Sequence, residues 1–165
     1  MILAVADSSV LVAFSAIRRL DVLRAVVSQI LIPGAVRREL IDQGVGWIEA
    51  RDAQAAILSA DWIEVENIKA LEEMPKTRLG LFTGESEAIP LAELHGCPIL
   101  LDDPRARRAA LERQLLVVGS LGMLVLAKRA RVVSEIAPLV YQMKREGIRF
   151  RDDLIERSLR EVGEM

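Results

Sequence analysis

The stretch Ile2-Leu3-Ala4-Val5-Ala6-Asp7-Ser8-Ser9 decides the fold. Five consecutive apolar residues read as a strand buried on both faces, and an acid followed by two serines supplies the chemistry that starts a helix. The same pattern returns at Pro98-Ile99-Leu100-Leu101-Asp102-Asp103-Pro104. Short buried strands that feed helices imply a three-layer α/β fold, a mostly parallel central sheet flanked by helices. Residues 29–32, 62–65 and 115–118 supply three more candidate strands. Helical patterning runs through about Val27, from Pro33 as first helical residue to about Asp42, and from about Ala50 to Ala60. It resumes after Thr83-Gly84 up to Gly96, after Asp103, and from Gly119-Ser120 to about Ala130. Gly44-Val45-Gly46 reads as a loop and Asn67 to Phe82 as a surface excursion. Two last helical segments cover roughly 134–146 and 152–162, where Ile136, Leu139, Val140 and Met143 pattern as core or dimer contact. Residues 1–165 thus read as one domain, with a helical segment from about 132 onward packed on it.

Composition narrows the function classes. Hydrophobic residues make up 52% of the chain against 28% charged, which excludes disorder. No apolar run approaches the roughly 18 residues that a membrane helix needs, and the start of the chain has no basic segment typical of a signal peptide. One cysteine, Cys97, and one histidine, His95, exclude an internal disulfide, a thiolate cluster and a two-histidine zinc site. The expectation is a cytoplasmic protein with no membrane partner, whose chemistry rests on Asp, Glu, Ser and Arg. The net charge of −2 conceals a basic run, because between Pro104 and Arg131 only Glu112 is acidic. Arg105, Arg107 and Arg108 open that run, which reads either as a solvated helix face or as a patch for nucleic acid.

Open α/β sheets bind ligands beyond the carboxyl ends of their strands. Asp7 follows one strand directly, and Asp102 and Asp103 follow another. If both strands are central and parallel, these acids emerge at the same edge. Each could instead cap a helix, and Asp103-Pro104 has the form of an N-cap and first helical residue. Two adjacent acids for one helix leave one of them without that task. Glu39, in Val36-Arg37-Arg38-Glu39-Leu40, is a further candidate. So are Glu85 and Glu87, although the early turns of a helix favour anions on electrostatic grounds alone. Carboxylates about 4 Å apart repel by roughly 4 kcal/mol per pair at an effective dielectric near 20. Protonation or a divalent cation relieves that cost. A ligand set made only of oxygens selects Mg²⁺ or Mn²⁺, ions suited to activating water against a phosphodiester.

These elements together resemble the PIN-domain ribonucleases, in particular the VapC-like branch that acts as toxins of type II toxin–antitoxin pairs. The resemblance covers nearly the whole chain. Asp7-Ser8-Ser9 is similar to that family's opening Asp-Thr-Ser, and Val36 to Leu40 to the segment carrying its second acid. Gly84-Glu85-Ser86-Glu87-Ala88-Ile89 resembles a Gly-Glu-x-Glu-Ala element, and Leu101-Asp102-Asp103 with Arg105-Ala106-Arg107-Arg108 an Asp-Asp-x-Arg-Ala-Arg element. Gly119-Ser120-Leu121-Gly122 looks like the turn that follows. The resemblance implies a single-stranded RNA endonuclease using Mg²⁺ or Mn²⁺. Asp7, Glu39, Glu87 and Asp103 would hold the metal with Asp102 beside them, Ser8 or Ser9 would orient Asp7 or a metal-bound water, and Arg105, Arg107 and Arg108 would contact phosphates. It also implies a homodimer and a small antitoxin partner. Three residues depart from the pattern. Ser8 replaces threonine but keeps the hydroxyl, and Pro104 stands where arginine is expected. Pro90 should kink the Glu87 helix, which makes Glu85 a rival ligand.

Other chemistries fit less well. An aspartyl phosphatase wants a second Asp where Ser9 stands, and Gly44-Val45-Gly46 has Glu49 in place of the third dinucleotide-binding glycine. Ser86 mimics a serine nucleophile, but His95 lies about 13 Å further along the same helix. The remaining alternative is a catalytically silent PIN-like module that binds RNA or a protein.

Overall fold

The computed structural model describes residues 2–43, 48–59, 61–68 and 83–165, of which 83–86 are described for the backbone alone. The expected loop at Gly44-Val45-Gly46 and the expected excursion beyond Ile68 lie outside the described residues, as does the side chain of Glu85. Five strands form one sheet: β1 (Leu3–Ala6), β2 (Gln29–Ile32), β3 (Ile63–Val65), β4 (Ile99–Leu100) and β5 (Val117–Val118). Every pairing is parallel and the order is β3-β2-β1-β4-β5, with Val5 opposite both Leu31 and Ile99. Successive side chains of a strand point to opposite faces. Ala4, Ala6, Ile30, Ile32 and Leu100 therefore join one buried cluster, and Val5, Leu31, Ile99 and Leu101 the other.

The helices are α1 (Ser8–Ala16), α2 (Leu20–Val26), α3 (Gly34–Arg37), α4 (Arg51–Ser59), α5 (Thr83–His95), α6 (Pro104–Glu112), α7 (Ser120–Arg129), α8 (Ala137–Arg145) and α9 (Asp152–Glu161). The larger cluster takes its helical residues from α1–α4 and α7–α9, and the smaller from α5 and α6. Ile136, Leu139, Val140 and Met143 are all buried in the larger cluster, so this part of the C-terminal segment makes core contact. No helix among the described residues is long and apolar enough to cross a membrane.

Two boundaries differ from the sequence pattern. The helix expected through Val27 is two helices, α1 and α2. Arg18 adopts the left-handed conformation (φ 54°), and its N–H bonds to the Ser15 carbonyl while that of Arg19 bonds to Phe14. This helix-ending geometry usually uses glycine, so an arginine there leaves no signal in the sequence. The helix expected from Pro33 to Asp42 is the single turn α3, with Pro33 as its N-cap, followed by a π-helical turn over Arg38–Gln43. Pro90 does not interrupt α5, whose neighbouring Ile89, Leu91 and Ala92 are fully buried.

Side chains distant in sequence secure the helix starts. The buried Ser15 hydroxyl accepts the backbone N–H groups of Asp52 and Ala53 at the start of α4, and Gln54 Nε2 donates to the Leu40 carbonyl in the π turn, 2.6 Å away. Glu164 accepts from the N–H groups of Ile136 and Ala137 and from Lys128 Nζ, all at 2.7 Å. Burial alone would raise the Glu164 pKa. The bonds from Lys128 and from the two backbone groups outweigh it and hold the carboxyl below its ordinary value. A lowered carboxylate pKa contributes stability above the unfolded value and loses it as pH falls through the folded one. Glu164→Ala should therefore cost about 2 kcal/mol at pH 7. Denaturant unfolding of both chains should show that gap narrowing on acidification, and equal midpoints at pH 7 would overturn this role.

Candidate functional site

The sheet order fixes where a site can lie. From β1 the chain proceeds outward to β2 and β3 on one side, then returns to β4 and β5 on the other. The carboxyl ends of β1 and β4 are therefore the topological switch point, the place where open α/β sheets bind ligands. Asp7 follows β1 directly, and Asp102 stands just past the end of β4, after Leu101. The Asp7 N–H bonds to the Leu100 carbonyl, extending the β1–β4 ladder by one step.

Asp7 is 3% exposed and caps α1. Its Oδ1 accepts the Ser9 N–H at 3.1 Å and the Ser9 hydroxyl at 2.6 Å. The Ser9 oxygen in turn accepts the backbone N–H of Asp102 at 3.3 Å, so one hydroxyl ties the two strand ends together. Ser8 Oγ donates to Glu39 Oε2 at 2.9 Å, bringing the acid of the π turn to the start of α1. Glu87 reaches from α5 to the start of α3. Its Oε2 accepts the Ala35 N–H at 3.0 Å, and Arg38 lies 3.6 Å from Oε1. Ala35 is one turn before Glu39. Asp7, Ser8, Glu39, Ala35 and Glu87 thus form a continuous series at one edge of the sheet.

The two adjacent acids serve two different helices. Asp103 caps α6, its Oδ1 accepting the N–H groups of Arg105 and Ala106 at 2.9 Å. Asp102 sits at the start of α7, where Oδ1 accepts the Ser120 N–H at 2.8 Å and Oδ2 the Ser120 hydroxyl at 2.5 Å. Contrary to the expectation from sequence, neither acid is left without a structural task, because Asp102 serves not the next helix in the chain but the one after it. Burial raises the Asp102 pKa, against the opposing pull of its bonds to Ser120 and of the Arg107 charge. Arg107, expected on phosphate, turns inward to the Leu101 carbonyl at 2.9 Å, whereas Arg105 and Arg108 are exposed on α6.

Among the described residues, no group of three or more Asp, Glu, His or Cys side chains is gathered as a metal centre. The donor chemistry nonetheless fits a hard cation, because the candidate ligands are all carboxylates and Ser9 and Ser8 hold two of them in set directions. The His95 ring, at the end of α5, lies 3.0 Å from both oxygens of Glu66, and burial pushes the Cys97 thiol pKa up. Sequence reasoning singled out the turn at Gly119-Ser120 but not the part its residues play. Ser120 is fully buried, and Gly119 leaves room for Asp102 and Arg107.

Comparison with protein families matches residues 3–164 to a family model described as a PIN domain. Among solved structures, the chain is similar to a PilT N-terminus domain protein from the hyperthermophilic archaeon Sulfolobus solfataricus P2. The identity is 17% and the TM-score 0.51, covering 76% of this chain and 93% of that one, a likeness of fold alone. Comparison with curated proteins returned no match.

Two outcomes follow for the Asp102 end of the site. A Cβ added at Gly119 would lie 2.8 Å from Asp102 Oδ1 and 2.9 Å from Arg107 Nη1. Gly119→Ala should therefore destabilise the fold by about 1–3 kcal/mol in urea unfolding, and an unchanged midpoint would exclude the close approach. For Asp102 the raised pKa means that the folded state holds its proton more tightly, so stability declines as pH rises from the ordinary carboxylate range through the folded value. Asp102→Asn keeps an acceptor for the Ser120 N–H without that charge. Its melting temperature relative to the unaltered chain should improve from pH 4 to pH 8; a constant difference would refute the burial effect.

Proposed function

The chain belongs to the PIN-domain family, and on that premise we propose that it is an Mg²⁺- or Mn²⁺-dependent endoribonuclease acting on single-stranded RNA. PIN domains are typically nucleases and generally bind divalent metals. The observation that carries the reading for this chain is the bond from Ser8 to Glu39 beside the buried Asp7, at the switch point of the sheet. Asp7, Glu39 and Glu87 would hold the metal, with Asp102 and Asp103 at the neighbouring strand end and Glu85 as a rival to Glu87. The bound ion supplies activation of water and relief of charge on the phosphodiester. Ser9 holds Asp7 by its hydroxyl and backbone, Ser8 holds Glu39, and Arg105 and Arg108 offer phosphate contacts on the exposed side of α6. The toxin role, an antitoxin partner and a homodimer belong to the same proposal, as does a cytoplasmic setting.

A second reading, the catalytically silent module that binds RNA or a protein, draws support from the same acids. Asp7, Asp102 and Asp103 each cap or anchor a helix start, and Glu87 accepts an N–H of α3. Those tasks require no metal.

Incubation of single-stranded RNA with the purified chain separates the two. Cleavage should appear with Mg²⁺ or Mn²⁺ and stop with a chelator. Asp7→Asn should lower the rate by about 100-fold or more, and Ser8→Ala by about tenfold through the aim of Glu39. RNA that stays intact with either ion, while still bound, would establish the silent module. Cleavage that persists in Asp7→Asn would remove Asp7 from the mechanism.

A further inference from the structure

β5 is an outer strand of the sheet, paired among the described residues only with β4, and beyond it a cavity of about 850 Å³ opens between α6, β5, the start of α7 and the segment leading into α9. Asp102 lies in its wall. The lining is apolar at Val118, Leu121, Phe150 and Leu154, and basic at Arg108, Arg149, Arg151 and Arg157. Two acids line it as well, Glu112 and Asp102, and Asp102 is already engaged by Ser120 and Arg107. Arg151 is paired with Asp153 at 2.8 Å. Arg108, Arg149 and Arg157 have no hydrogen-bond or ion-pair partner among the described residues and are exposed. Three unneutralised guanidinium groups from two separate parts of the chain thus converge on one apolar hollow.

A ligand suited to such a hollow is anionic at its edges and flat and apolar between them. Single-stranded RNA has this character: its phosphates pair with arginine and its unstacked bases lie against aromatic and aliphatic side chains. The volume lies in the range of sites for small organic ligands, room for about one or two nucleotides. Phe150 is partly buried in a chain with only 4% aromatic residues, and it stands beside the cavity with Arg149 and Arg151 on either side in sequence. We propose that this cavity holds a short stretch of single-stranded RNA next to Asp102, and that residues 149–157 form the second wall of the RNA path opposite α6. The inference rests on the RNA reading above, but assigns binding to a segment outside the proposed ligands.

The test uses a short fluorescein-labelled oligouridine and the full chain in chelator, so that binding is read without cleavage. The double variant Arg149→Ala, Arg157→Ala, both at exposed positions, should weaken binding about tenfold or more. Its plot of log Kd against log salt should be shallower by about 0.7 per arginine removed. Arg51→Ala, on exposed α4, should match the unaltered chain. Cleavage of the same RNA in Mn²⁺ and the sedimentation mass are measured alongside. If the unaltered chain cleaves RNA but the double variant binds with the same Kd and slope, the cavity proposal is overturned and the nuclease reading stands. If nothing is cleaved yet binding depends on Arg149 and Arg157, the cavity proposal stands and the nuclease reading falls. A double variant that keeps its RNA affinity but drops to a lower mass makes the hollow an interface between copies and overturns the proposal. RNA that does not bind the unaltered chain overturns both.

Discussion

The parallel sheet is the constraint on which the rest depends. When every strand runs the same way, each connection must return across a face, and the helices that follow the strands begin at the carboxyl edge. Each helix start exposes unpaired N–H groups and the positive end of its dipole. Four such starts gather here, those of α1, α3, α6 and α7, and a carboxylate attends each: Asp7, Glu87, Asp103 and Asp102. The acids collect at one edge because the positive helix ends collect there. Arg38 and Arg107 stand among them and further offset their mutual repulsion. The folded chain can therefore hold this concentration of negative charge with its own helix starts, hydroxyls and arginines, before any cation binds.

That arrangement explains why capping and ligation are not rival uses of these side chains. A carboxylate that takes a backbone N–H on one oxygen has its direction fixed, and the fixed direction is what a ligand position requires. The π turn adds to this. It widens the helix by one residue at the point where Glu39 must leave α3 and reach Ser8, and such turns recur at functional sites.

Much of the architecture was legible in the sequence, since Ile2 to Ala6 and Pro98 to Leu101 announce buried strands and Asp7 and Asp103 announce caps. Gly96 and Gly147 mark helix ends where the backbone turns left-handed (φ 58° and 90°). Arg18, Gln114 and Arg131 perform the same turn (φ 54°, 60° and 59°) without glycine. There the flanking contacts impose the conformation and the residue type says nothing. The anchoring of Ser120 by Asp102 was hidden for a related reason. Sequence proximity suggests that an acid serves the next helix, whereas Asp102 serves the one after, which only strand pairing brings near. The pairing of Glu39 with Ser8, across thirty-one positions, is likewise a product of β1 lying beside β2.

The bonds around α1 close a ring. Its first residue, Ser8, grips Glu39. Leu40, the next residue, is gripped by Gln54, whose helix is gripped at its start by Ser15, near the other end of α1. Three struts joined in this way make a truss, and a truss has no slack member. An inconspicuous hydroxyl sealed in the interior, about 10 Å along the helix from Ser8, therefore shares in steering a carboxylate at the rim. A substitution at Ser15 thus reaches the rim through a chain of bonds, although the residue has no charge and almost no view of solvent.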